Sequence, residues 1–517
     1  MMGLKRIAAF KKAKFIQRKK KLEEMLLDAE KKAEKDEQLS TGSLSSDDEE
    51  QLLNLTGKLL HKRYLVIAYL GRGSYSRVVL CHDFTDKKYV ALKIFNPEDY
   101  EDSLDEIRMM NFIGNNNEHI IKMYDHFDYF EEGSKYKQMC IVYEFLGVSV
   151  LDLLSPFKNS LSIEDTKRLV YEILIAMDEY YKKGIVHADV KLENMLTIHY
   201  SDEIDMVVRM FDNYNIDEDY KNLVLNSLPE GFDDFSDEKK KKTRRKIKQK
   251  ILPNYVKTLE FFSRDNPKNN HVDKDQVGDL KEFTPCTSEN PNAKNAEIKS
   301  LEPRECPDEC FEECQDKCQD KCQDKCQKEC PDLKLPELKV IFSDFGNACH
   351  MDNVYDGKMQ HRAYRPPENV IGNGFCQASD LWSLGCIIYE IITDKVLFNV
   401  EGDCEIDRDR NHLALMYKCI GPMSEKMANE CERTTELFGH GARILHCNDI
   451  KYSNLETEIG KYRTDLTDQQ LKEMADFLRL LLRYNPHERV PPSELVKQKW
   501  LNGNQTALHT ILSGHKL

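Results

Sequence analysis

The chain has 517 residues, 40% of them hydrophobic and 32% charged, and 75 Lys and Arg against 90 Asp and Glu leave a formal net charge of −15. That length allows roughly three domain-sized units, with enough apolar residues for at least one large core and enough charge to leave part of the chain unpacked. The acid excess disfavours a general nucleic-acid coat and suits basic peptide partners. No apolar run reaches the roughly 18 residues of a membrane span, and Ile7-Ala8-Ala9-Phe10 is too short for a secretory signal, so neither nucleic acid nor a membrane is expected as a direct partner.

Residues 1–60 read as a tail or an extended helix. The first 21 residues carry nine Lys or Arg and no acid, and the segment closes on Ser45-Ser46-Asp47-Asp48-Glu49-Glu50. Residues 64–199 show apolar periodicity. A glycine-rich stretch, Gly71-Arg72-Gly73-Ser74-Tyr75-Ser76-Arg77-Val78, precedes strand-like Val78-Val79-Leu80 and Tyr89-Val90-Ala91-Leu92-Lys93-Ile94-Phe95. Glycines there let backbone N–H groups approach phosphate oxygens, although alone the stretch is equally a hairpin turn. Alternation puts Ala91 and Lys93 on one face of the second strand and Val90, Leu92 and Ile94 on the other. A lysine so placed needs a partner or an anion, and Glu106, in a helical stretch over 103–112, is the candidate partner.

Leu169, Ile173, Ala176 and Tyr180 recur at helical spacing. After a turn at Gly184 comes His187-Ala188-Asp189-Val190-Lys191-Leu192-Glu193-Asn194. Such a loop offers a carboxylate to accept a hydroxyl proton, a lysine to offset phosphate charge and an amide to hold Mg²⁺. Residues 200–338 are polar and read as a long, disordered spacer. Residues 239–250 hold nine Lys or Arg in twelve, and Cys306, Cys310, Cys314, Cys318, Cys322, Cys326 and Cys330 recur every fourth residue. That spacing lacks the Cys-x₂-Cys of structural zinc sites, and an expanded tandem repeat explains it better than a thiol-based metal or redox sensor. Globular patterning returns over 339–501, where Val340-Ile341-Phe342 leads into Ser343-Asp344-Phe345-Gly346 and Asp380-Leu381-Trp382 opens a helix apolar nearly all round. Residues 502–517 form a C-terminal tail. Strands first and helices later give an α+β chain, a small sheet lobe followed by a larger helical one.

These strings in this order resemble the protein-kinase signature set: glycine-rich loop, strand lysine, catalytic loop, metal aspartate and Pro366-Pro367-Glu368, with Arg489 as the late ion-pair partner of Glu368. The Asp-x-Lys-x-x-Asn loop resembles serine/threonine kinases, and Arg362-Ala363-Tyr364-Arg365-Pro366-Pro367-Glu368 resembles the CMGC group. Asp344-Phe345-Gly346-Asn347-Ala348-Cys349 and Tyr143-Glu144-Phe145-Leu146-Gly147 resemble the SR-protein kinases within it, as do Ser76 at the third glycine position and the long spacer; His412-Leu413-Ala414-Leu415-Met416 resembles the rival LAMMER kinases.

The resemblance implies a bilobal protein-kinase fold with a disordered insert and transfer of the ATP γ-phosphate to Ser/Thr hydroxyls, with ATP and Mg²⁺ as cofactors. It further implies an Arg/Ser-rich splicing-type protein substrate, a monomer, and a cytoplasmic and nuclear location. Asp189 and Lys191 would be catalytic; Asn194 and Asp344 would hold the metal. Leu70, Gly71, Arg72, Gly73, Ser74, Tyr75, Ser76, Arg77, Val78, Ala91, Lys93, Glu106, Glu144 and Leu146 would hold the nucleotide.

Three departures qualify this. Ala188 stands where related kinases place an arginine that pairs with a phosphate on the activation segment, and residues 344–368 contain Tyr355 and Tyr364 but no Ser or Thr. Together these two predict activity without activation-segment phosphorylation. In the stretch 403–421, where SR-protein kinases carry an acidic groove, Arg408, Arg410 and Lys418 are interspersed with Asp403, Glu405, Asp407 and Asp409, which predicts a weakened groove. A catalytically silent scaffold is the alternative of another class, disfavoured because every catalytic position is intact.

Overall fold

The computed structural model describes residues 55–131, 134–157, 161–259, 335–352, 359–447 and 450–502. The acidic run 45–50, the cysteine repeat 306–330, Tyr355 and the tail 503–517 lie outside the described residues.

The amino-terminal lobe is one antiparallel sheet of β1 (Leu59–Leu60), β2 (Tyr64–Arg72), β3 (Ser76–Asp83), β4 (Lys88–Phe95), β5 (Met123–Phe130) and β6 (Lys137–Glu144), in the spatial order β1-β2-β3-β4-β6-β5. Period-2 patterning sets its two faces. Val90, Leu92 and Ile94 of β4 join Val79, Cys81, Cys140 and Val142 in a buried cluster, while Ala91 and Lys93 point to the half-buried side. Helix α1 (Tyr100–Ile113) packs on the sheet, with Glu106, Ile107 and Met110 buried.

The second lobe opens with helix α2 (Ile163–Tyr181). It starts at Ser162, whose hydroxyl accepts the Asp165 N–H at 3.0 Å, an N-cap worth about 1 kcal/mol. Its Leu169, Ile173, Ala176 and Tyr180 are fully buried, each large apolar side chain contributing about 1.5–3 kcal/mol.

Three helices then occupy the first part of the stretch that the sequence reads as disordered spacer: α3 (Asp202–Asp212), α4 (Ile216–Asn226) and α5 (Asp237–Val256). Polar composition hides a sparse apolar face formed by Phe211, Ile216, Tyr220, Val224, Leu252, Tyr255 and Val256, all buried. This face docks on the sheet. His82 Nε2 lies 3.1 Å from Asp217 Oδ1, the Tyr89 hydroxyl donates to Asp212 at 2.5 Å, and the Phe84 and Tyr220 rings meet edge to face at 5.2 Å. The lysine block of 239–250 is therefore helical, carried on α5 with its side chains mostly exposed.

Beyond the spacer, α6 (Ser379–Thr393) forms the centre of the second lobe, with 14 of its 15 residues buried. A Cβ at Gly385 would come within 2.8 Å of the Leu482 side chain, so a larger residue there needs that side chain to shift. Among the described residues no helix is long and apolar enough to cross a membrane.

Candidate active site

The glycine-rich stretch is the β2–β3 hairpin. Gly71 pairs with Val78 and Arg72 with Arg77, and Gly73 N–H donates to the Ser76 carbonyl at 2.8 Å. Asn96 fastens the tip, its N–H donating to the Tyr75 carbonyl at 2.9 Å and its side-chain amide to that of Ser74 at 3.2 Å. Arg72, Gly73, Ser74 and Tyr75 are exposed, whereas Ser76 is buried in the first β3–β4 pair. Leu70, Val78, Ala91 and Leu146 are half-buried, as residues lining an open cleft should be, and Arg77 leans on Glu131 at 3.3 Å.

Glu144 ends β6. Its N–H donates to the Lys122 carbonyl at 2.9 Å and its carboxylate accepts the Lys122 N–H at 2.9 Å, which fixes the turn from sheet to linker. Gly147 in that linker has no room for a side chain: a Cβ would sit 2.0 Å from the His199 carbonyl oxygen. Phe145 stacks on Tyr200 with ring centroids 4.5 Å apart, so the linker is pinned to the start of the spacer.

Lys93 and Glu106 meet as expected, Nζ lying 3.0 and 2.8 Å from the two carboxylate oxygens. Lys93 also reaches Asp344 Oδ1 at 2.8 Å, which joins the sheet lobe to the second lobe. Burial works against the lysine's charge, yet Asp344 and Glu106 outweigh it and hold its pKa above the ordinary value. The Lys93 cation keeps the Asp344 carboxyl below its usual range despite burial, whereas burial pushes Glu106 up against the pull of Lys93.

Asp344 follows β7 (Ile341–Phe342) in the left-handed region, with φ of 59°. Opposite it is the catalytic-loop candidate. Asn194 Nδ2 donates to Asp189 Oδ2 and to the Asp189 carbonyl, each at 2.9 Å, and Lys191 Nζ lies 3.0 Å from Asp189 Oδ2. Burial opposes the Lys191 charge, but Asp189 raises its pKa above that of a free lysine. The His187 ring is buried between Phe342 and Phe345 and bonds the Ser343 carbonyl at 3.0 Å; burial depresses its pKa.

Asp344 and Asn194 suit Mg²⁺. Their side chains bring hard oxygen donors, Asp344 is held ionised, and Mg²⁺ takes few protein ligands when substrate phosphates supply others.

Three contributors escaped the sequence reading. Asp380, at the start of α6, accepts the N–H groups of His187 at 2.7 Å and Ala188 at 3.1 Å, and so sets the loop's backbone, including Ala188 at φ 62°; burial pushes its carboxyl up to about 7. Tyr143 sends its hydroxyl to Glu106. Gln360 spans the gap from the segment after Asp344 to the catalytic loop: Val190 N–H donates to its Oε1 at 3.1 Å, and its Nε2 donates to the Val190 carbonyl at 2.7 Å. A buried Asp that begins an apolar helix was the one available signal; nothing local marks the other two. Lower in the second lobe, Glu368 and Arg489 form the expected pair, two-pronged at 2.7 and 2.6 Å.

Known proteins are similar to this chain in sequence and fold. The protein kinase domain family matches residues 64–213 and 333–501. Protein kinase dsk1 of Schizosaccharomyces pombe is 25% identical over 458 residues, 85% of this chain and 81% of that one. SRSF protein kinase 3 of Sus scrofa is 24% identical over 528 residues, 89% of this chain and 92% of its own length. The crystal structure of the PF14_0431 kinase domain is similar in fold, with a TM-score of 0.51 at 20% identity, covering 86% of this chain and 97% of that one.

Proposed function

The chain belongs to the protein kinase domain family, and from that premise we propose that it transfers the γ-phosphate of Mg-ATP to Ser or Thr hydroxyls of Arg/Ser-rich proteins, with no need for phosphorylation of its activation segment. The observation that carries the proposal is the convergence of Lys93, Glu106 and Asp344 on one side of the cleft with Asp189, Lys191 and Asn194 on the other. Asp189 orients the acceptor hydroxyl and takes its proton. Lys191 offsets charge on the transferred phosphoryl, and Lys93, steadied by Glu106, grips the nucleotide phosphates. Asp344 and Asn194 would hold Mg²⁺, which when bound would offset charge on those phosphates. Positioning and preorganised charge do most of the work in this chemistry.

Independence from phosphorylation rests on Ala188 and Gln360. With no arginine beside Asp189 to receive a phosphate, the segment is tied to the catalytic loop by the neutral Gln360 bridge, and Arg365 braces the segment internally, donating to the Met359 carbonyl at 3.3 Å and to the Gln360 carbonyl at 3.1 Å. The substrate class rests on the motifs shared with SR-protein kinases and on the relative named for its action on SRSF proteins. The test is phosphate transfer by bacterially produced protein to an Arg-Ser repeat peptide and to a Ser-Pro peptide. Asp189-dependent labelling of the Arg-Ser peptide supports the proposal. Labelling of the Ser-Pro peptide alone keeps the kinase and discards the substrate class, pointing to a LAMMER-like or other CMGC enzyme. Tight ATP binding with no transfer to any peptide would make the chain a scaffold.

A further inference from the structure

We infer that the Tyr143 hydroxyl is a positioning group for phosphate transfer, holding the Glu106 carboxylate, and through it Lys93, in the arrangement that grips the nucleotide. The inference rests on the kinase reading above and adds a residue to it.

Tyr143 is the next-to-last residue of β6, paired with Ala91 on β4 and Met123 on β5. Its ring is buried, and the hydroxyl donates to Glu106 Oε1 at 2.5 Å. Lys93 approaches the same oxygen at 3.0 Å and the other one at 2.8 Å. Lys93 is also drawn to Asp344 at 2.8 Å, so two carboxylates compete for one ammonium. Glu106 sits on α1, which packs on the sheet, whereas Tyr143 is embedded in the sheet itself. The phenol thus ties the helix carboxylate to the strand layer at the point where Lys93 must find it. Burial raises the phenol's pKa well above the ordinary value, so the group stays a neutral donor at any working pH.

A phenylalanine would fill the same space and keep the sheet packing, so the hydroxyl has a separable role. Hydrogen bonds to charged groups in buried sites are worth roughly tenfold or more in an equilibrium. The measurement compares the full-length wild type, Tyr143→Phe, Glu106→Gln and the double variant. For each, kcat and KM for Mg-ATP are obtained at saturating peptide, with the Kd for Mg-ATP as a separate readout and thermal melting as a folding control.

Tyr143→Phe is expected to lower kcat/KM for ATP roughly tenfold, still melt as a folded protein, and cost less than about twofold in the Glu106→Gln background. A residue acting through Glu106 must show that coupling, whereas one that only packs gives equal losses in both backgrounds. Equal losses, or a Tyr143→Phe enzyme within about twofold of wild type, overturn the inference. A wild type that transfers no phosphate sinks the kinase reading instead, and the same criterion applied to the ATP Kd values then decides the role of Tyr143.

Discussion

Gln360→Leu tests whether a side-chain amide does the work that a phosphate does in related enzymes. Val190 is fully buried, and Gln360 satisfies both its N–H and its carbonyl, at 3.1 and 2.7 Å. Leucine fills similar volume but leaves both groups unpaired, at about 1–3 kcal/mol each. Gln360 also has φ of 73°, a conformation that costs a non-glycine residue about 1 kcal/mol or more; both side chains carry that strain, but only glutamine offsets it with two hydrogen bonds. Taking the lower bound of about 2 kcal/mol, and letting it express itself as release of the segment from the catalytic loop, kcat/KM for peptide should fall about 30-fold. The Kd for Mg-ATP should stay within about twofold, because Gln360 bonds Val190, whereas the proposed grip on the nucleotide phosphates belongs to Lys93, steadied by Glu106. Steady-state phosphorylation of the Arg-Ser peptide, with protein first treated with tyrosine phosphatase, separates the two quantities. A Gln360→Leu enzyme with wild-type rates, or a wild type that is silent until Tyr355 or Tyr364 is phosphorylated, would refute the reasoning.

Three further outcomes are expected. Asp189→Asn should cut transfer to the Arg-Ser peptide by about 100-fold or more while Mg-ATP binding by calorimetry persists, since the role proposed for Asp189 is toward the acceptor hydroxyl. Arg489→Ala should destabilise the second lobe by about 3–5 kcal/mol in denaturant titration, because Glu368 is then left as a buried carboxylate without its cation; a loss below about 1 kcal/mol would contradict the geometry. His412 is fully buried, neither ring nitrogen has a hydrogen-bond partner, and burial lowers its pKa to about 3. A folded pKa below the unfolded one favours the native state above about pH 6.5 and is lost as pH falls from there toward 3, by at most about 1.4 kcal/mol per pH unit. His412→Leu should therefore lose less stability than wild type between pH 7 and pH 5, and parallel losses in the two proteins would count against it.

The candidate set that the structure brings together was legible in the sequence because the proposed chemistry demands particular residue types at short spacing. Asp189, Lys191 and Asn194 lie within six residues, and the Lys93–Glu106 pairing follows from one strand alternation and one helix. The residues that hold this set were not legible, because their partners are remote in the chain: Asp380 meets His187 across 193 positions and Gln360 meets Val190 across 170. The helices at the start of the spacer were hidden for another reason. Their apolar residues are too sparse to stand out from the polar residues around them, and they become a core only against the sheet face that carries His82, Phe84 and Tyr89. Composition registers how many apolar residues a segment has, whereas burial depends on whether a complementary face is waiting.

The weakened groove expected from the sequence and the phosphate-independent segment proposed above would share one physical root. Helix α7 (Glu405–Ile420) contributes Asp409, which is fully buried and is gripped by Arg362 at 2.7 Å and Arg433 at 2.6 Å. Arg362 belongs to the activation segment, so Asp409 anchors that segment from below as Gln360 anchors it from the catalytic loop. A carboxylate committed to two guanidinium groups in a buried site has little field left for an arginine-rich substrate. Asp407 likewise faces Arg410 at 3.4 Å, and Arg410 itself donates to the Glu436 carbonyl at 3.0 and 2.7 Å. Asp409 is thus committed to ordering the enzyme, whereas Asp403 and Glu405 stay exposed. Fixing Arg362 and gripping basic repeats would draw on the same carboxylate, and Asp409 is taken up by the first.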